Sequence, residues 1–259
     1  MKLKPIVICI DIDGTIIGDV SYHVIEWEIL TSLSLCACLK MFRKHLVYYL
    51  KKGLLRPDFA DFVMAIKSRY EHVEFFLYTA SEEKWAQVLV PCIEEVINFK
   101  FQRPLFTRKH CIESGNVFQK SFKKIVPIIV RQLRGVYSSL KTEDVYENII
   151  LIDNNNNLLE SPHRCILCPT YSWIMCYDIL KFVDQETIDN RIYTISRLLL
   201  KYEIISTKSL DISTIQHQYY SHIASMMTRP SSRYMLDSFW ADATSAFLRA
   251  LKEGQNLVK

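Results

Sequence analysis

The run Ile6-Val7-Ile8-Cys9-Ile10 carries no charge, is rich in β-branched residues and stops abruptly at Asp11-Ile12-Asp13-Gly14-Thr15. With Pro5 ahead of it, the run reads as a strand apolar on both faces, the pattern of a parallel sheet covered on two sides. Val73 to Tyr78, apolar apart from Glu74, and Asn148 to Ile152 read as two further buried strands, and Arg164 to Cys168 reads as a last short strand. In an open parallel sheet, chemistry collects beyond the carboxyl ends of the strands. Two of these strands end in acid, at Asp11-Ile12-Asp13 and at Asp153-Asn154. A third ends in hydroxyls, at Thr79-Ala80-Ser81.

The intervening segments read as helices. Val24 to Lys52 is apolar-rich and lacks Gly and Pro, which fits one or two helices closed by Gly53. Arg56-Pro57-Asp58 opens a helix to Arg69, with Phe59, Phe62, Val63 and Ile66 on one face. Ser81 is expected to cap a helix over Glu82 to Val96. Asn98 to Phe106 alternates loosely and predicts a further strand, Ser121 to Leu140 a helix disturbed at Pro127, and Ser138 to Glu147 a loop. From Tyr171 the pattern is helical, near 173–183, 185–203, 211–227 and 234–252. The expected fold is therefore α/β, a Rossmann-like parallel sheet flanked by helices over residues 1–170. A helical C-terminal extension over 171–259 is packed on it or forms a separate lobe.

Composition narrows the function. With 49% hydrophobic residues the chain can build a sizeable core, and a net charge of +4 lacks the dense basic footprint of a dedicated nucleic-acid binder. The apolar run after Met1-Lys2-Leu3-Lys4 is too short for a signal-peptide core. Ile29 to Leu39, a charge-free apolar stretch of eleven residues, is too short to span a bilayer. An intracellular location, nuclear or cytoplasmic, with the eight cysteines as thiols is expected. His163, Cys165, Cys168 and Cys176 could be read as zinc ligands, but the stretch also reads as a buried strand and no second pair has fitting spacing. The C-terminal aromatics Tyr219, Tyr220, Phe239, Trp240 and Phe247 have spacings that suit helix packing.

Three aspartates and an asparagine gathered at one sheet edge repel one another without a cation. Their hard oxygens suit Mg²⁺, which commonly bridges to a phosphate. At this point the sequence resembles the haloacid-dehalogenase-like phosphohydrolases through Asp11-Ile12-Asp13-Gly14-Thr15. It is similar, more narrowly, to the nuclear-LIM-interactor-interacting-factor-like branch, which dephosphorylates the carboxy-terminal domain of RNA polymerase II. The resemblance rests on Leu55-Arg56-Pro57 through Phe62, on Tyr78-Thr79-Ala80-Ser81 with Trp85-Ala86, and on Arg108-Lys109-His110-Cys111. Lys120-Ser121-Phe122 and Leu151-Ile152-Asp153-Asn154 complete it, in the right order, from about residue 5 to 170. Gly14 stands where that branch commonly has an acidic residue, and the spacing from Lys120 to Asp153 is long for the family.

The resemblance implies a phosphoric monoester hydrolase. Asp11 would be the nucleophile that forms an aspartyl-phosphate, and Asp13 the acid and base that also offers its backbone carbonyl to the metal. Thr79 would donate to a phosphoryl oxygen, and Lys120, with Lys123 and Lys124 as rivals, would supply positive charge. Asp11, Asp13, Asp153 and Asn154 would hold Mg²⁺. The implied substrate is a phosphoserine or phosphothreonine protein, with the polymerase tail as one candidate. A nucleic-acid 3′-phosphatase, a small-molecule phosphatase and a non-catalytic scaffold of the same fold are the alternatives.

Overall fold

The computed structural model describes residues 4–115, 117–174, 183–206, 211–227 and 236–253. The charge-free run forms β1 (Ile6–Ile10), which leads through the acidic turn to α1 (Ser21–Ser32), α2 (Cys36–Tyr49), a π-type turn at Leu50–Leu54 and α3 (Phe59–Arg69). Next come β2 (Val73–Leu77), α4 (Glu83–Ile97) and a hairpin of β3 (Ile112–Ser114) and β4 (Val117–Gln119). The chain continues through α5 (Phe122–Leu133), α6 (Thr142–Glu147), β5 (Ile149–Asp153) and β6 (Cys165–Leu167) to α7 (Gln185–Lys201), α8 (Ile212–Met227) and α9 (Phe239–Lys252).

The main sheet is parallel in the order β2-β1-β5-β6, so the protein is α/β with helices on both faces. The chain leaves β1 toward β2 on one side and leaves β5 toward β6 on the other. The crevice between the carboxyl ends of β1 and β5 is thus the topological switch point, where such sheets bind ligands. Register pairs Ile10 with Ile152, and the Asp11 amide donates to the Ile152 carbonyl at 2.9 Å. That pairing brings Asp11 and Asp153 side by side.

The alternation along β1 splits the core. Ile8 and Ile10 join a cluster with α1 to α4 that includes Ile195, Leu199, Trp240 and Phe247 from the C-terminal helices. Val7 and Cys9 join a second cluster with Phe122, Ile125, Val126, Ile129 and Val130 of α5 and Val145 of α6. Helix α5 buries residues spaced three and four apart. Pro127 falls on its exposed face, where water can satisfy the carbonyl that proline leaves unpaired, so the helix continues through it. Helix α5 ends at Leu133 rather than at Leu140, ahead of Gly135, a poor helix former. The expected Ser138–Glu147 loop contains α6.

The 24–52 segment is two helices, parted where Ser34 takes a left-handed φ of 56°. Asn98–Phe106 is not a strand. It runs along the β2 edge with Gln102 donating to the Phe75 carbonyl (2.9 Å) and Phe106 to Leu77 (3.0 Å), and makes an isolated bridge from Phe106 to Tyr78. Pro104 lies between these contacts and has no N–H to continue a ladder. The helix expected over 173–183, and Cys176 with it, fall largely outside the described residues; residues 171–174 are irregular. Among the described residues no helix is long and apolar enough to cross a membrane, and the cysteines carry free thiols.

Candidate active site

The turn after β1 is shaped by its neighbours. Gly14 has a φ of +75°, and a Cβ there would lie 2.7 Å from Nδ2 of Asn154, so only glycine lets the two acidic loops approach. Thr15 joins them: its hydroxyl accepts from the Asn154 amide (3.0 Å) and donates to Asn154 Oδ1 (3.3 Å). Beyond Gly14 the chain is strapped by the segment after β6, with the Tyr171 amide on the Gly14 carbonyl (2.8 Å) and the Asp19 amide on that of Trp173 (2.8 Å). The result is an open cavity of about 500 Å³ lined by Asp11, Asp13, Thr79, Ser81, Lys120 and Asp153.

Lys120 is the centre of charge. It precedes α5, is 2% exposed, and donates from Nζ to Asp11 Oδ1 and, at 2.7 Å, to Asp153 Oδ2. Its ammonium also lies 5.6 Å from the centre of the Tyr78 ring. Lys123 and Lys124 are exposed, so the geometry separates Lys120 from its rivals. Burial pushes the Asp11 carboxyl up; Lys120 opposes the rise, while Asp153 and Asp13 add to it. Burial by itself lowers the affinity of Lys120 for its proton. Asp11 and Asp153 more than offset it, so the ammonium is held above the ordinary lysine value.

Asp13 is held separately. Its Oδ2 accepts from Thr79 Oγ1 (3.0 Å) and Ser81 Oγ (2.7 Å), and the Ser81 amide donates back to Thr79 Oγ1 (3.0 Å). Its Oδ1 is buried without a hydrogen-bond partner among the described residues. Ser81 was expected to cap α4. The residue preceding that helix is instead Glu82, without a side-chain cap bond, and the Ser81 hydroxyl is engaged by Asp13. Ser81, expected only as a cap, and Thr15 thus stand at the candidate site although sequence reasoning assigned neither a part in its chemistry. Their signal is position: a hydroxyl two residues beyond Thr79, and one closing Asp-x-Asp-Gly-Thr. Arg108 also lines the cavity, its Nε on the Ala80 carbonyl at 2.9 Å.

Among the described residues no three His, Cys, Asp or Glu side chains converge as a metal cage. Of the residues that could be read as zinc ligands, Cys176 lies outside the described residues, and Cys168 Sγ is 3.7 Å from the Thr15 hydroxyl. Mg²⁺ asks for less: one or two carboxylates, with waters and substrate phosphate completing its shell. Asp11, Asp153, the Asn154 amide oxygen and the Asp13 carbonyl provide such hard oxygens at one edge, and the unpartnered Asp13 Oδ1 adds unsatisfied negative character. The donor set fits the ion. Asn155 donates to Asp153 Oδ1 (2.8 Å) and to Asn154 Oδ1 (3.0 Å), closing a turn and holding the donors in place.

A sequence model of the family described as NLI interacting factor-like phosphatase matches residues 6–178, which takes in every element that contributes to this cavity. The chain belongs to the NLI interacting factor-like phosphatases. No curated protein matches it in sequence. Among solved structures it is similar to the fission yeast RNA polymerase II CTD phosphatase Fcp1 bound to beryllium fluoride, with 16% identity and a TM-score of 0.41, over 98% of this chain and 69% of that one. A second structure of Fcp1, described as an essential RNA polymerase II CTD phosphatase, shares 17% identity with a TM-score of 0.33, over 86% of this chain and 64% of that one. Membership of the family makes the cavity the candidate site of a phosphatase.

Proposed function

We propose that the chain is a Mg²⁺-dependent phosphoserine/phosphothreonine protein phosphatase working through an aspartyl-phosphate on Asp11. The observation that carries this reading is the buried Asp11–Lys120–Asp153 triad at the switch point, with Asp13 held apart on Thr79 and Ser81. Asp11 attacks phosphorus while the bond from phosphorus to the seryl oxygen breaks, and Asp13 gives the departing alkoxide its proton. Asp13 then takes a proton from water, the water oxygen attacks phosphorus, and the bond to Asp11 breaks to release inorganic phosphate. Two hydroxyls fix Asp13 Oδ2, which leaves the unpartnered Oδ1 for proton transfer. With Ser81 able to hold Asp13 alone, Thr79 can turn its proton to a phosphoryl oxygen. Lys120 draws the nucleophile into place and stabilises the crowded oxyanions. Mg²⁺ held by Asp11, Asp153, Asn154 and the Asp13 carbonyl would supply charge neutralisation on the transferring group.

The openness of the site to a chain-like substrate supports a protein substrate, and the family supports a phosphorylated polymerase tail as a candidate. A nuclear or cytoplasmic setting follows from that substrate. Purified protein is expected to hydrolyse an aryl phosphate with Mg²⁺, and to release phosphate from a serine-phosphorylated heptad peptide faster than from a 3′-phosphorylated oligonucleotide. Preference for the oligonucleotide would contradict the substrate class. Turnover unchanged by EDTA would contradict the metal dependence.

A further inference from the structure

Arg56 is 1% exposed, and arginine cannot shed its charge when buried. Among the described residues its carboxylate partner is Asp237, from the region beyond the family match. Nε donates to Oδ1 at 3.0 Å and Nη2 to Oδ2 at 2.8 Å, a two-pronged pair. The Phe239 ring centre lies 4.8 Å from the guanidinium and that of Tyr171 5.6 Å. The third guanidinium nitrogen, Nη1, reaches the Thr15 carbonyl at 3.4 Å. Trp240, wholly buried against Phe59 and Phe62 with ring centres 4.9 and 4.7 Å away, aims its Nε1 at the same carbonyl, also at 3.4 Å. Thr15 is the residue whose hydroxyl fixes Asn154.

We infer that Asp237 and Trp240 are positioning residues for the acidic turn: with Arg56 they clamp the Thr15 backbone, and through Thr15 they set the metal-facing Asn154. The inference rests on the proposed function for its catalytic meaning. Asp237 and helix α9 are on this view part of the scaffold of the site. The clamp acts at one remove from the metal donors, and groups that orient such donors are commonly worth about 10–100-fold in affinity or activity.

The test uses the full chain with Asp237→Asn, Trp240→Phe and, as a packing control on the same helix, Phe247→Leu. Phe247 is buried against Phe62 with ring centres 5.4 Å apart. Three readouts are compared: hydrogen exchange of the amides of residues 14–16 and 154, Mg²⁺ affinity by calorimetry with Mg²⁺ alone, and kcat against KM on an aryl phosphate. Asp237→Asn and Trp240→Phe should speed exchange and weaken Mg²⁺ by about tenfold, with kcat falling more than KM rises. Phe247→Leu should lower the melting temperature and leave the other readouts near wild type. Trp240→Phe keeps the ring packing, so it decides the matter if Asp237→Asn fails to fold. Wild-type exchange and Mg²⁺ affinity in Trp240→Phe, or equal changes in Phe247→Leu, overturn the inference. A wild-type protein that hydrolyses no phosphomonoester overturns the proposed function instead, and the exchange comparison still judges the clamp.

Discussion

The two faces of the sheet serve the same pair of strands in different ways. The face of Val7, Cys9 and Leu151 is covered by α5 and α6, drawn from the stretch just ahead of β5, and it borders Lys120. The face of Ile8, Ile10 and Ile152 is covered by α1 to α4 and by residues as distant as Ile195, Tyr219, Trp240 and Phe247. One face brings the site its cation from nearby sequence. The other holds the acidic turn in shape from the far end of the chain. The contrast separates supply of a charged group from control of a backbone.

Breaking the first face should have the largest effect. Lys120→Met leaves Asp11 and Asp153 buried without their cation, which should destabilise the fold by about 3–5 kcal/mol in urea unfolding. The same variant should reduce kcat by about 10²–10³-fold. A folded variant with wild-type turnover would remove Lys120 from the site. On the second face, Trp240→Ala should cost about 3–5 kcal/mol through the cavity it leaves among Phe59 and Phe62. Loss of less than about 1 kcal/mol would mean that α9 is not integral to that core.

The second face also buries His23, at 1% exposure, with neither ring nitrogen hydrogen-bonded among the described residues. Burial pushes its proton affinity down from 6.5 to about 4, against a smaller pull from Asp19. The unfolded chain therefore takes up a proton near pH 6.5 that the folded protein refuses until about pH 4. Stability from this group is complete above pH 6.5 and falls as pH drops through that window, by about 3 kcal/mol in all. His23→Phe should flatten the stability profile between pH 4 and 6.5 by that amount. Parallel profiles for the two proteins would show that the imidazole is hydrated in the fold.

The same contrast marks what the sequence made legible. β1, β5 and β6 announce themselves by charge-free runs and β2 by an apolar run broken only by Glu74, and Asp11, Asp13, Thr79, Lys120, Asp153 and Asn154 lie at or just beyond recognisable segment ends. The amphipathic pattern of α5 identifies its inner face directly. Periodicity marks Trp240 and Phe247 as buried but carries no information on which surface receives them, so the Arg56–Asp237 pair, 181 residues apart, stayed hidden. Asn98–Phe106 looked like a strand because loose alternation does not reveal that Pro104 will interrupt the ladder. Ser81 looked like a cap because a hydroxyl before a helix serves a cap or a neighbouring carboxylate equally well, and only the fold brings Asp13 within 2.7 Å.

On the proposed mechanism Asp11 takes the phosphoryl group. Wild-type protein mixed with Mg²⁺ and a radiolabelled phosphopeptide, then quenched in acid during turnover, should carry a hydroxylamine-labile phosphoryl group. Peptide mapping should place it on the fragment containing Asp11, and Asp11→Asn should neither label nor turn over. Label on another residue, or turnover retained by Asp11→Asn, would contradict the account.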